Sequence, residues 1–75
     1  MNRTVEKVFK LVIEKFEYDY DLPHPLQGVF TVVGEYNFDD DSIDIYGIYI
    51  ENKCVMDSFD VDWIADEYIR KEYEE

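Results

Sequence analysis

The sequence predicts an α+β fold in the order α-β-β-β-α: a three-stranded antiparallel sheet with two helices packed on one face. Three observations predict it. Apolar residues recur at three- and four-residue steps at both ends of the chain. The middle is rich in β-branched and aromatic residues that alternate in parity. Two polar breaks, Asp39-Asp40-Asp41-Ser42 and Glu51-Asn52-Lys53, divide that middle into strands. At 75 residues the chain makes a single domain, 1–75, with a small core.

The first segment, Thr4 to about Tyr20, reads as an amphipathic helix. Val5, Val8, Phe9, Val12, Ile13, Phe16 and Tyr20 form its apolar stripe, and Glu6, Lys7, Lys10, Glu14, Lys15 and Glu17 lie between them. Asn2 or Thr4 suits its N-cap. Leu22-Pro23-His24-Pro25 stops it, because each proline lacks a donor and biases the preceding residue away from helix.

Gln27 to Phe38 reads as the first strand, with Phe30, Val32, Tyr36 and Phe38 on the core face and Glu35 and Asn37 on the other. Gly34 shares the core face and marks a bend or a close approach. After the aspartate turn, Ile43 to Glu51 forms the second strand. The parity of its isoleucines flips between Ile45 and Ile48, so a β-bulge near Tyr46-Gly47 is needed to keep Ile43, Ile45, Ile48 and Ile50 inside. Asp44 and Tyr49 then face out. Cys54 to about Asp57 reads as a short third strand.

Val61 to about Tyr73 reads as the second helix. Ser58 or Asp60 caps it, and Val61, Ile64, Ala65, Tyr68 and Ile69 face inward. Asp60 and Asp62 suit its positive end, and Arg70 and Lys71 its negative end.

Charge is the strongest functional signal. The formal net charge is -12, and apolar content of 47% is too high for a disordered acidic tail. Up to Tyr18 the acids and bases nearly balance. From Asp19 onward sixteen acids face only Lys53, Arg70 and Lys71. That field repels nucleic acid and anionic membranes and attracts basic proteins. Outward side chains on a strand recur about every 6.6 Å, close to the spacing of phosphates along a nucleic-acid strand. Asp39, Asp40, Asp41 and Asp44 on the hairpin are expected to join Asp57, Asp60, Asp62, Asp66 and Glu67 near the start of the second helix. Tyr46 and Tyr49 are the expected exposed anchors among them, since tyrosine buries area while keeping a polar tip. Tyr20, Tyr36 and Tyr68 are expected at the core edge.

Nothing in the chain spells catalysis, and the expectation is a protein without cofactor that is not an enzyme. His24, the only histidine, lies between prolines and reads as a loop residue. Cys54, the only cysteine, excludes an internal disulfide, has no histidine near it in sequence and is expected to be a small buried apolar residue. The aspartate run lacks the alternating ligands, central glycine and closing glutamate of a calcium loop. No apolar run is long enough to span a bilayer, and the start lacks a signal core, so a cytoplasmic location is expected.

In size and composition, residues 19 to 75 resemble the small acidic inhibitors of phages and mobile elements, the anti-CRISPR and anti-restriction proteins that imitate DNA. The residues that carry the resemblance are Asp39 to Asp41, Asp44, Asp57, Asp60, Asp62, Asp66, Glu67 and Glu72-Tyr73-Glu74-Glu75. It implies an inhibitor that occupies the basic groove of a host defence or DNA-processing protein, working as a monomer or homodimer. The other expectation is an acidic interaction module, such as an immunity protein, antitoxin or assembly subunit, that binds through an aromatic and apolar face.

Overall fold

In a computed structural model of the chain, residues 12–74 are described. They form an antiparallel sheet of four strands, in the order β1-β2-β3-β4, and one helix of 13 residues. The strands are β1 (Ile13–Tyr20), β2 (Phe30–Asn37), β3 (Ser42–Ile50) and β4 (Lys53–Cys54). The helix, α1, runs from Val61 to Tyr73, and a π turn at Ala65–Ile69 interrupts its regular hydrogen bonding.

The central hairpin follows from the sequence pattern. Phe30, Val32, Gly34 and Tyr36 are buried along one face of β2. Opposite them the pairing runs from Asn37 with Ser42 to Gly34 with Ile45, then shifts so that Val33 meets Gly47. Tyr46 is the residue left over. This bulge keeps Ile48 and Ile50 in the core and Ile43 and Ile45 against it. Gly34 is required here, because a Cβ would land on the Asp44 carbonyl oxygen and lie 2.8 Å from Cζ of Phe16. The tip has four residues, Phe38–Asp41, and Asp41 takes the left-handed conformation at φ 59°. The second turn has left-handed residues at both central positions, Glu51 at φ 50° and Asn52 at φ 70°, which matches the right-handed twist of a hairpin.

The first helix is corrected where the structure describes it. Residues 13–20 are a strand, paired in unbroken register with β2 from Ile13 opposite Asn37 to Tyr20 opposite Phe30. Phe16 is buried and Tyr18 and Tyr20 are half-buried, whereas Ile13, Lys15, Glu17 and Asp19 are exposed. The alternation of Phe16, Tyr18 and Tyr20 defines a strand face, and pairing with β2 satisfies the backbone of that central strand on both sides. The rest of the expected helix, 4–11, with its caps Asn2 and Thr4, lies outside the described residues.

Three smaller expectations are also corrected. The strand at Cys54–Asp57 is only Lys53–Cys54, after which Met56–Ser58 forms a 3₁₀ turn. Phe38 is exposed rather than in the core, its ring edge-on to Tyr36 and Tyr73. Cys54 is exposed, because β4 is a two-residue edge strand with no described residue packed outside it.

The helix begins where the sequence places it. The Asp60 carboxylate accepts hydrogen bonds from the main-chain N–H groups of Asp62 at 3.1 Å and Trp63 at 3.4 Å. Ile64, Ala65 and Ile69 are buried against the sheet. At its far end Tyr73 stacks on Tyr36, with ring centroids 4.1 Å apart and planes 5° from parallel. The core is thus a single layer between α1 and one sheet face, and the other sheet face carries no helix among the described residues.

Candidate protein-binding face

The two faces of the sheet are chemically opposite. The covered face is aromatic and aliphatic. The uncovered face displays Lys15, Glu17 and Asp19 from β1, Thr31, Val33 and Glu35 from β2, and Asp44, Tyr46 and Tyr49 from β3. Cross-strand register sets the neighbours. Lys15, Glu35 and Asp44 lie in one row, and Asp19, Thr31 and Tyr49 in another. The Thr31 hydroxyl donates to the Asp19 carboxylate at 2.8 Å within that second row.

Both predicted anchors are on this face. Tyr46 is 53% exposed and Tyr49 38% exposed. Tyr49 lies across Gly47, where a Cβ would approach its ring to between 2.5 and 2.8 Å, so the glycine lets the ring lie flat on the sheet. The Tyr46 pKa is pushed up to about 12, first by the neighbouring Glu35 carboxylate, which favours the protonated hydroxyl, then by burial and by the negative charge of Glu35 and Asp44. Beside Tyr49 is a shallow depression lined by Glu17, Thr31, Val33 and Glu51. A protonated tyrosine among carboxylates can donate a hydrogen bond and can pack flat against a guanidinium or ammonium group.

The predicted carboxylates divide into two groups. The Asp39–Asp41 tip lies at the C-terminal end of α1, where Arg70 donates to the Asp41 carbonyl oxygen at 2.8 Å. Asp57, Asp60 and Asp62 lie at the other end, where the preceding Phe59 packs edge-on to Phe30 at the opposite end of β2. A 13-residue helix separates these ends by about 20 Å. The expected joining of the hairpin acids with the helix-start acids is therefore corrected. Asp66 alone bridges toward the tip, since its carboxylate is 3.4 Å from the Arg70 guanidinium that also holds Asp41. Glu67 is exposed on the helix.

Some of these acids serve the fold. Asp41 accepts from the Tyr36 hydroxyl at 2.5 Å, and that bond leads burial in raising the Tyr36 pKa. Asp40 accepts from the Ser42 N–H at 3.1 Å, and Asp60 caps the helix. Asp39, Asp44, Asp57, Asp62 and Glu67 are exposed. Arg70 with Asp66 is the one ion pair among the described residues.

Glu17 and Asp19 were not among the predicted site residues because the helical reading of 4–20 hid them. The strict alternation of Lys15, Glu17 and Asp19 with Phe16, Tyr18 and Tyr20 was the signal. His24 sits in the loop, as expected, with its Nδ1 accepting from the Leu26 N–H at 3.0 Å and its ring against Phe59 and Phe30. Among the described residues no group of three or more His, Cys, Asp or Glu side chains is placed to hold a metal ion. No helix there is long and apolar enough to cross a membrane. No protein-family model, curated protein or solved structure matches the chain.

Proposed function

We propose that this chain is a non-enzymatic binding protein that occupies a basic protein surface of the kind that otherwise holds nucleic acid, and so blocks it. The supporting observation is the near absence of internal neutralisation. Among residues 12–74 seventeen acids face four bases, Lys15, Lys53, Arg70 and Lys71, and these form a single ion pair. The remaining carboxylates stay available to an external cationic surface. The contact face in this reading is the uncovered sheet, with Glu17, Asp19, Glu35 and Asp44 around Tyr46 and Tyr49. The target is a host defence or DNA-processing protein, in keeping with the resemblance to acidic phage-type inhibitors. Inhibition is by competition, because like charge excludes the true polynucleotide.

The exposure of Tyr46 and Tyr49 favours a second reading, an acidic interaction module whose contact is chiefly aromatic. One experiment separates the two. The immobilised chain captures a partner from host lysate, and the complex is challenged with duplex DNA, with RNA and with rising salt. The first reading expects release by nucleic acid and a steep fall in affinity between about 0.05 and about 0.5 M salt. A complex indifferent to both overturns it and leaves the aromatic contact.

A further inference from the structure

Strand β1 is at one edge of the sheet among the described residues, and charge is its one protection there: Glu14, Lys15, Glu17 and Asp19 are exposed along it. It is eight residues long, contains no proline, and pairs with β2 without a bulge. One hydrogen bond fixes which of its backbone groups turn toward β2 and which turn away. The Phe38 N–H donates to the Val12 carbonyl oxygen at 2.7 Å, so residues of even number in this register turn their N–H and C=O toward β2. The odd residues, Ile13, Lys15, Glu17 and Asp19, therefore aim theirs outward along the edge, where no described residue pairs with them.

Of the two-fold registers centred on residues 14–20, several set Lys15 opposite an acid, but one alone sets no like charges opposite each other. A two-fold axis perpendicular to the sheet keeps like faces together, so it must pass through a residue position. Centred on Lys15 it sets Lys15 against itself; on Glu17, Glu17 against itself; on Tyr18, Glu17 against Asp19. Centred on Phe16 it sets Lys15 opposite Glu17 of the second copy, twice, with Ile13 opposite Asp19. In that register the facing pairs are the odd residues, whose backbone groups are already aimed outward. They would exchange on the order of eight main-chain hydrogen bonds.

We propose that β1 pairs antiparallel with β1 of a second copy about Phe16, giving an eight-stranded sheet with both helices on one side and one continuous acidic face on the other. The net charge of -12 per chain opposes this association, so salt strengthens it. Partner binding by the acidic face has the opposite salt dependence.

Sedimentation velocity on the full chain tests this, with circular dichroism to confirm folding of each variant. The wild type is expected to shift toward twice the chain mass between about 0.1 and about 1 M NaCl. Lys15→Glu and Glu17→Lys are each expected to weaken the dimer about tenfold. The two substitutions change net charge in opposite directions, so net charge alone predicts opposite effects. The double variant Lys15→Glu/Glu17→Lys, with the charges exchanged, is expected to recover to within about threefold of wild type. A wild type that stays monomeric in high salt overturns the proposal. So does a Glu17→Lys dimer that is tighter than wild type, or a double variant as weak as the singles.

Discussion

The Arg70 guanidinium reaches from the last turn of the helix to the Asp41 main-chain carbonyl, 2.8 Å away, and so ties α1 to the left-handed residue of the hairpin tip. The same side chain is 3.4 Å from Asp66, whose side chain is 65% exposed. The two contacts differ in worth. A charge-assisted bond to a carbonyl beside a packed tyrosine outweighs a solvated ion pair. Arg70→Ala is expected to cost about 1–2 kcal/mol in urea unfolding, and Asp66→Asn less than about 0.5 kcal/mol. Equal losses from the two variants would assign the anchoring to the ion pair instead.

Gly34 is the least replaceable position in the sheet. Its missing Cβ leaves room for the Asp44 carbonyl oxygen across the hairpin and for the Phe16 ring above. One of these is backbone, held by the β2–β3 ladder, and cannot swing aside. Gly34→Ala is expected to destabilise by about 3 kcal/mol or more, well beyond an ordinary strand substitution. Retention of the wild-type urea midpoint would mean that the hairpin shifts to make room.

Removing the helix cap tests a local feature with a smaller effect. Asp60→Ala leaves the first N–H groups of α1 without their acceptor and is expected to cost about 1 kcal/mol, whereas Asp60→Asn costs less because the amide oxygen still accepts. The comparison is of unfolding midpoints at neutral pH, and equal losses would assign the role to charge alone.

Alkaline pH should unfold this protein before it unfolds a chain with ordinary tyrosines. Burial, with help from Glu72, raises the Tyr20 pKa, and burial raises that of Tyr73 as well. Tyr46 rises to about 12 through Glu35. In each case the folded state holds the proton more tightly than the unfolded chain. The contribution to stability is therefore complete below about pH 10 and is lost as pH climbs through the raised values. The urea midpoint is expected to fall between about pH 10 and about pH 12. Glu35→Gln should bring Tyr46 back toward about 10 in an ultraviolet titration of the tyrosinates. A titration curve unchanged by that substitution would remove Glu35 as the cause.

How much of this was legible depended on whether a segment's period had one reading or two. The β2–β3 hairpin had one. The parity flip between Ile45 and Ile48 has no resolution except an extra residue, and Tyr46 is that residue. The helix from Val61 was equally clear, and of its two candidate caps, Ser58 and Asp60, the structure uses Asp60. The stretch 13–20 had two readings, because Ile13, Phe16 and Tyr20 fit a helical stripe while Phe16, Tyr18 and Tyr20 fit a strand face. Pairing with β2 decided between them, and that is a non-local term absent from any window of sequence. The carboxylate grouping failed for a related reason. Proximity around the start of a helix says nothing about which end of the sheet that helix leaves from. Asp57, Asp60 and Asp62 therefore fell far from Asp39–Asp41, while Tyr46 and Tyr49, of opposite parity, reach one face only because the bulge lies between them.

The π turn at Ala65–Ile69 carries a constraint on the length of the chain. It accommodates one more residue than a regular turn would, and that surplus rotates everything after it by roughly 100° about the helix axis. Tyr73 owes its place over Tyr36 to that rotation. Deleting one exposed residue of the π turn, Asp66 or Glu67, would straighten the coil into an ideal cylinder, yet swing the terminal ring off its platform. Insertions and deletions in this helix are therefore costly even where every side chain involved faces water.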